Sequence, residues 1–338
     1  MAMSLRLTMS RQKLLKPKAS IHSFCSFRIE TEIGHDHIVG LDEVGRGPLA
    51  GPVVAAAVCF SKAWRDKEDP SLDRITDSKC VRERDRKALS EWIQKNALWT
   101  EVVVVDSEEV DRRNILRASL WAFLQCLEEA VKKRRSIDYV LVDGDKEVPG
   151  CRIPQRAIIG GDLVSKSIAA ASIVAKVYRD NLMENYASEY PQYSFEKHKG
   201  YGTKDHWRAL EEFGPCAIHR KSFLGRYFRM SQGRAGEERA VRFLKDQGFK
   251  ILERNWRSKS GELDIVAHRA RELHFVEVRF QSKPDLESAF PRSKQKKFVD
   301  AAKSYLLKNN GSHGLSTHYD FLAVGPEQID AHFDVFRF

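Results

Sequence analysis

The sequence predicts an α/β protein of two domains, and three observations point there. Apolar runs of strand length alternate with longer stretches at helical spacing. The chain has 338 residues, which at roughly 150 residues per domain leaves room for two. The pattern breaks at a short polar stretch, Ser231-Gln232-Gly233-Arg234, and alternation resumes after it, which places a domain boundary there. Hydrophobic residues make up 42%, enough for cores of ordinary size. No uninterrupted apolar run approaches the ~20 residues a membrane span requires.

Residues 1–33 lack periodicity and are rich in Ser, Lys and Arg. They read as a disordered basic extension, with an acid-free composition like that of an organelle transit peptide or of an extended start. The first domain spans 34–230. Ile38 to Leu41 and Pro52 to Phe60 read as strands, joined through the turn Gly45-Arg46-Gly47-Pro48. Val81 to Trp99 has helical spacing, Val102 to Val105 is a short buried strand, and Asn114 to Arg135 is a long helix. Tyr139 to Val142 is a strand running into Asp143-Gly144, and Asp162 to Tyr190 is a second long helix stopped by Pro191. The second domain spans 231–338. It opens with a helix from Gly236 to Gln247, followed by a strand Gly261 to Val266 with Leu273 to Phe280 as hairpin partner. A helix Ser293 to Asn309 and a final strand Tyr319 to Val324 complete it.

The net charge is +10, but it is unevenly spread. Residues 1–29 hold six basic residues and no acidic ones, residues 232–338 hold 19 basic and 15 acidic, and residues 30–231 hold 32 of each. A polyanion bound by the central part must therefore be held by local clusters rather than by the mean field. The six cysteines form no C-x-x-C pair. In a chain this long they read as reduced thiols of a cytoplasmic protein, not as a disulfide framework or a zinc site.

The first domain carries acids where acids are costly. Asp42 and Glu43 follow an apolar strand, Asp143 ends another, and Asp162 opens a helix. Each alone has an ordinary structural explanation: a solvated strand end, a turn, a helix N-cap. Together they form an oxygen-only set that suits magnesium or manganese. Two such ions about 4 Å apart are a common device for phosphodiester hydrolysis. Neighbours in a regular strand face opposite sides, so Asp42 and Glu43 share a site only if the strand ends or bends, which Gly45 and Gly47 allow.

The run Gly40-Leu41-Asp42-Glu43-Val44-Gly45-Arg46-Gly47-Pro48-Leu49-Ala50-Gly51-Pro52-Val53-Val54 resembles the opening signature of bacterial ribonuclease HII. Further segments agree in order: Thr76-Asp77-Ser78-Lys79, Leu141-Val142-Asp143-Gly144, Gly161-Asp162, Ala170 to Lys176 with Arg179-Asp180, His198 to Lys204, and Ile218-His219-Arg220. The resemblance implies a ribonuclease H-like mixed sheet flanked by helices. It also implies hydrolysis of the RNA strand in RNA/DNA hybrids and at single ribonucleotides embedded in DNA, leaving 5′-phosphate ends. It assigns Asp42, Glu43, Asp143 and Asp162 as catalytic ligands of two Mn2+ or Mg2+ ions. Gly45, Arg46, Gly47 and Tyr201 become the sensor of the ribonucleotide-to-deoxyribonucleotide junction. Lys79, Lys166, Ser172, Lys199 and Lys204 complete the expected substrate-binding set. The chemistry fits: glycines let a backbone approach a sugar edge, and the 2′-hydroxyl is what distinguishes RNA from DNA. A non-catalytic hybrid binder and an integrase-like DNA nuclease are the rivals. The four acids oppose the first, and the glycines with Tyr201 oppose the second.

Residues 233–338 resemble the YraN-like proteins, through Gly236-Glu237, Asn255-Trp256-Arg257, Gly261 to Val266 and Phe275-Val276-Glu277-Val278-Arg279. That resemblance implies a restriction-endonuclease-like α/β domain, in which Asp264 and Glu277 match metal-holding acids. Arg279 stands where the pattern has Lys, and arginine cannot give up its proton. The domain therefore reads as a nucleic-acid-binding or vestigial nuclease module, with a second active DNA nuclease and a protein-interaction module as alternatives. Periodicity leaves open whether Glu262, Asp264 and Glu277 form a site or are outward charges on a hairpin.

Overall fold

The structure is a computed structural model; it describes residues 25–280, 290–309 and 314–335. The chain divides into two compact units, residues 1–222 and 223–338. The expected disorder of the extension lies, for residues 1–24, outside the described residues. Residues 25–33 depart from that expectation: Cys25 and Phe27 join the core of the first unit, and α1 (Arg28–Ile33) follows them.

In the first unit the strands are β1 (Ile38–Val44), β2 (Val53–Phe60), β3 (Trp99–Val105), β4 (Tyr139–Asp143) and β5 (Gln155–Ile158), in the sheet order β3-β2-β1-β4-β5. β1 pairs antiparallel with β2 and β2 antiparallel with β3, whereas β4 runs parallel to both β1 and β5. This is the mixed sheet that the sequence resemblance implies. Besides two single-turn helices, Lys62–Arg65 and Pro70–Asp73, its further helices are α2 (Glu83–Asn96), α3 (Ser107–Arg113), α4 (Ile115–Lys132), α5 (Lys166–Glu189), α6 (Phe195–His198) and α7 (Lys204–Phe213). Every residue of β2, Val-Val-Ala-Ala-Ala-Val-Cys-Phe, is buried. α5 packs on β1 and β2 and α4 on β2 and β3, so the continuous apolar run is explained by cover on both faces.

One helix start differs from the sequence expectation. Asp162 does not cap the second long helix. It lies in a 3-10 turn, Gly161–Leu163, and the helix begins at Lys166 with Ser165 as its cap. Ser165 Oγ donates to the buried Glu30 carboxylate at 2.7 Å, and Ser167 N–H donates to the same oxygen at 3.0 Å. A negative charge there complements the free N–H groups and dipole of the helix start. The N-terminal segment thus steadies the turn that carries Asp162.

In the second unit α8 (Gly225–Asp246) precedes β6 (Lys250–Ser258), β7 (Gly261–Arg269), β8 (Glu272–Phe280), α9 (Arg292–Lys308), β9 (Ser316–Val324) and β10 (Ile329–His332). The sheet order is β10-β9-β8-β7-β6, with only β8 and β9 parallel. The polar stretch at Ser231 to Arg234, read as a break, lies inside α8. Its residues are a mainly solvent-facing part of the helix, so their polarity follows from exposure and not from a linker. β6 and β10 carry too little periodicity to be read in the sequence. Among the described residues no helix is long and apolar enough to cross a membrane.

Gly40 shows how closely α5 sits on β1. A Cβ there would lie 2.1 Å from the carbonyl carbon of Ser167 and 2.3 Å from the nitrogen of Ile168. Backbone cannot yield as a side chain can, so Gly40→Ala is expected to cost about 3 kcal/mol, measured as a lowered urea midpoint.

Candidate active site

Asp42, Glu43 and Asp143 sit at the ends of the central strands β1 and β4, and Asp162 lies in the 3-10 turn Gly161–Leu163. β1 ends at Val44, two residues past Asp42, and the chain turns at Gly45 with φ +96°. Asp42 is buried, and its Oδ1 accepts the N–H of Glu43 at 2.7 Å. Burial and then the Glu43 and Asp143 charges push the Asp42 carboxyl well above its ordinary range, with a Ser172 hydrogen bond opposing. Glu43 is raised by burial against the pull of Arg46, which pairs with it at 3.2 Å. Asp143, at the end of β4, is raised by burial although Gly161 N–H donates to its Oδ1 at 2.7 Å. Asp162 is pushed up to about 6 by burial, then by Asp77 and Asp143. Asp42 is therefore within electrostatic reach of the other three.

Asp77 is a fifth carboxylate in this group, overlooked because the sequence presents it as one letter of a matched segment. Lys79, on the same turn, is largely exposed. Burial lowers its pKa, but Asp77, Asp162, Asp42 and Asp143 together raise it above the ordinary value. Among the described residues no three His, Cys, Asp or Glu side chains are closed on a point where a metal ion would sit. The acids turn instead to Glu43 N–H, Gly161 N–H and Arg46. The donor set nevertheless fits a hard cation: it is oxygen-only, and buried carboxylates that raise one another's pKa are what a divalent ion would relieve.

The glycine loop is placed by two arginines to which the sequence reading gave no role. Both are fully buried. Arg220 donates to the carbonyls of Gly45 (2.6 Å), Arg46 (3.0 Å), Pro48 (3.0 Å) and Gly51 (2.8 Å). Arg179 donates to Pro52 (2.9 Å), Ala50 (3.3 Å) and Lys199 (3.0 Å). Gly200 lies against the same loop: its carbonyl accepts the Leu49 N–H at 2.9 Å, and a Cβ on it would meet the Ala50 oxygen at 2.3 Å. Tyr201 is thereby brought beside Gly47, where a Cβ would stand 3.5 Å from the ring. The ring is 44% exposed, so it is open to a ligand and is not a core aromatic.

Behind Tyr201 lies a chain of imidazoles. Cys216 N–H donates to His219 Nδ1 at 3.0 Å, the Nε2 atoms of His219 and His206 are 3.0 Å apart, and His206 Nδ1 reaches the Tyr201 carbonyl at 2.9 Å. Burial holds both rings down at about 4, so they are neutral at pH 7 and fix the Tyr201 backbone.

Two expected substrate contacts are corrected. Lys166 is buried, and its ammonium donates to the carbonyls of Leu72 and Ile75 (2.9 Å to Ile75). It braces a loop and is not free for a phosphate. Ser172 is buried, with its Oγ 3.0 Å from Ser78 Oγ, and it hydrogen-bonds the Asp42 carboxylate, so its hydroxyl is engaged with an acid inside the fold. Lys199 is paired with Glu184 at 3.0 Å, whereas Lys204 is exposed at the start of α7.

Comparison with known proteins gives the family. The ribonuclease HII model matches residues 39–226. The chain belongs to the ribonuclease HII family. It is 47% identical over 194 residues to the ribonuclease HII of Clostridioides difficile, covering 56% of this chain and 71% of that one. It is 49% identical over 192 residues to that of Geotalea daltonii, covering 57% and 84%. Among solved structures, ribonuclease HII in the PCNA complex from Archaeoglobus fulgidus is 24% identical with TM-score 0.44, over 55% of this chain and 94% of that one. Ribonuclease H2 from Pyrococcus horikoshii is 22% identical with TM-score 0.45, over 55% and 93%. Residues 236–336 match the uncharacterised protein family UPF0102, the family of the YraN-like proteins. The ribonuclease HII unit makes this chain an endoribonuclease of the class that hydrolyses the RNA strand of RNA/DNA hybrids.

In the second unit Glu277 is buried, and its carboxyl is raised to about 7 by burial and then by Asp264. Asp264 is raised to about 6, mainly by burial, while accepting Val278 N–H at 2.8 Å. Asp264 and Glu277 are thus turned inward, whereas Glu262, the third acid of that hairpin, is exposed. Arg279 pairs with Glu277. A cavity of about 470 Å³ opens beside them, lined in part by Arg257, Glu262, Lys294 and Lys297.

The pKa of Asp162 has a consequence for stability. A carboxyl held above its unfolded value favours folding when protonated. That contribution is fully present below pH ~4 and is lost as pH rises through about 6. Asp162→Asn removes the loss. Without divalent metal, the variant is expected to melt above the parent at pH 7.5, with the difference vanishing near pH 4.

Proposed function

We propose that the ribonuclease HII unit cuts RNA/DNA hybrids and single ribonucleotides embedded in duplex DNA, leaving a 3′-hydroxyl and a 5′-phosphate. Asp42, Glu43, Asp143 and Asp162 would hold two Mg2+ or Mn2+ ions. The observation that carries the reading is the meeting of two features: a buried group of acids that raise one another's pKa, and the exposed Tyr201 ring beside Gly47. Bound ions would supply activation of water and stabilisation of the leaving oxygen. The residues do the rest. The backbone at Gly45 to Gly47 reads the 2′-hydroxyl at close range, and Tyr201 stacks on the following deoxyribose and resists a 2′-hydroxyl there. Lys79 and Lys204 are exposed cations for the phosphate backbone, and Ser172 orients Asp42. Substrate is then duplex carrying ribonucleotides, and the location is cytoplasmic.

For the second unit we propose a nucleic-acid-holding role. Four cations stand around its cavity, and Arg279 occupies Glu277, a pairing that suits phosphate binding better than activation of water. Asp264 and Glu277 are then remnants of a metal site.

One series of assays tests both readings, using a hybrid, a duplex with one ribonucleotide and an all-DNA duplex. The parent is expected to cut the first two and spare the third. Asp143→Asn is expected to lose at least 1,000-fold in rate, an order of magnitude set by loss of metal-held chemistry, while still binding hybrid. Tyr201→Ala is expected to lose more in kcat at the single ribonucleotide than in duplex affinity. Cutting of all-DNA duplex that Asp264→Ala abolishes would make the second unit a nuclease instead.

A further inference from the structure

Residues of three elements line the cavity of the second unit. The β6–β7 hairpin brings Arg257 and Glu262, the end of β8 brings Glu277 and Arg279, and the start of α9 brings Lys294 and Lys297. The hairpin turn lies directly on the helix: a Cβ at Gly261 would stand 3.0 Å from the Lys297 carbonyl oxygen and 3.4 Å from Ala301 Cβ. At about 470 Å³ the cavity falls within the roughly 300–1,000 Å³ of small-ligand pockets. It has room for the end of a strand and not for a length of duplex.

Four cations and two acids give the described lining a net charge of +2. The acids do not use up the cations. Glu262 pairs with Arg257 at 3.4 Å, but both are exposed, and such pairs hold weakly. Arg279 pairs with the buried Glu277 through one terminal nitrogen, and its Nε has no hydrogen-bond partner among the described residues. Arginine has five N–H donors, so most of this fork is left for another acceptor. Lys294 and Lys297 are exposed and have no salt bridge among the described residues. They also stand at the wrong end of their helix. α9 opens Arg292-Ser293-Lys294-Gln295-Lys296-Lys297, with no acid in its first turn and no side chain capping it. Cations there oppose the positive end of the helix dipole. An anion in the cavity would offset the dipole and the lysines together.

We propose that this cavity holds the terminal phosphomonoester of a nucleic-acid strand. The inference rests on the nucleic-acid-holding role proposed for the unit and names its ligand. At pH 7 a phosphomonoester carries a charge of about −1.5 to −2 and offers three acceptor oxygens. A phosphodiester inside a strand carries a single negative charge and has fewer free oxygens. The monoester matches the charge of the lining, and the diester matches half of it. Arg279 supplies planar recognition of phosphate oxygens, and Lys294 and Lys297 supply point charges. The 5′-phosphate left by cutting at a ribonucleotide is one source of such an end, and a 3′-phosphate is another.

The test uses the full chain in a chelator at fixed salt, because phosphate binding is salt-dependent. It measures the anisotropy of an internally labelled single-stranded DNA of about 12 nucleotides. Three strands are compared, ending in a 5′-phosphate, in a 3′-phosphate or in hydroxyls at both ends. A terminal phosphate is expected to tighten binding at least 10-fold, and the end that does so identifies the source. Lys294→Gln combined with Lys297→Gln takes the net charge of the lining to zero and is expected to bring the preference below about 2-fold. Both side chains are exposed, and an unchanged melting temperature shows that this variant folds. Lys303→Gln, an exposed lysine later on α9 and outside the cavity lining, is expected to keep the preference. Equal binding of all three strands, weakened equally by the double variant, would overturn the terminal phosphate and leave the nucleic-acid-holding role standing. A double variant that changes neither affinity nor preference would overturn both. Displacement of the strand by inorganic phosphate at the strand's own concentration would make this a site for free phosphate and overturn the proposal as well.

Discussion

Arg179 and Arg220 are two guanidinium groups fully removed from water, and the placement of the candidate active site depends on how they are satisfied. Burying such an ion costs several kcal/mol unless its donors are used. Here backbone carbonyls do that work: Gly45, Arg46, Pro48 and Gly51 around one ion, and Ala50, Pro52 and Lys199 around the other. Burial lowers the two groups to about 10 and about 9, so both remain charged at neutral pH. A carbonyl that turned away would leave a buried charge short of a partner, and this fixes the loop's path. Gly45 has positive φ, and a Cβ on it would strike the Arg179 side chain. The glycine is needed by the clamp as well as by any ligand.

The loop so fixed links two opposed demands. Strand β1 delivers Asp42 and Glu43 to the sheet end, where burial and mutual repulsion raise their carboxyls. The return segment at Lys199 to Tyr201 brings an exposed ring to Gly47. The neutral His206–His219 pair holds that ring's backbone from behind. The acids carry electrostatic strain that a divalent cation would relieve, and the surrounding framework of buried arginines, glycines and Glu30 resists relaxation. Destabilised charge on a rigid frame is the arrangement expected of a site selected for chemistry instead of stability.

Much of this was legible in the sequence. Strands β1 and β4 stand out because their apolar runs end abruptly in Asp42-Glu43 and Asp143, and β2 because its apolar run is continuous; Asp162 reads as a helix start, and only the resemblance joins the four acids into one site. Gly47 and Tyr201 were visible only through resemblance, since nothing local in the sequence says that residues so far apart will meet. Arg179 and Arg220 were invisible as structural residues because an isolated arginine reads as a surface cation; its burial depends on carbonyls delivered from more than a hundred positions away. Lys166 failed for the same reason in reverse, as a matched lysine taken for a phosphate contact that is consumed inside the fold. The polar stretch inside α8 misled because composition records exposure, not helix continuity.

The carbonyl-satisfied arginines set the path of the glycine loop and bring Tyr201 beside Gly47. Arg220→Lys tests this most directly. Lysine keeps the charge but has a single ammonium that cannot span Gly45, Arg46, Pro48 and Gly51 together. Turnover of a duplex carrying one ribonucleotide should be compared with duplex affinity and with the far-ultraviolet spectrum. For this variant kcat is expected to fall about 100-fold, the order expected when reacting groups are misplaced by an ångström, while the spectrum is kept and affinity changes less than about 3-fold. A folded Arg220→Lys variant with unchanged kcat would contradict that placement.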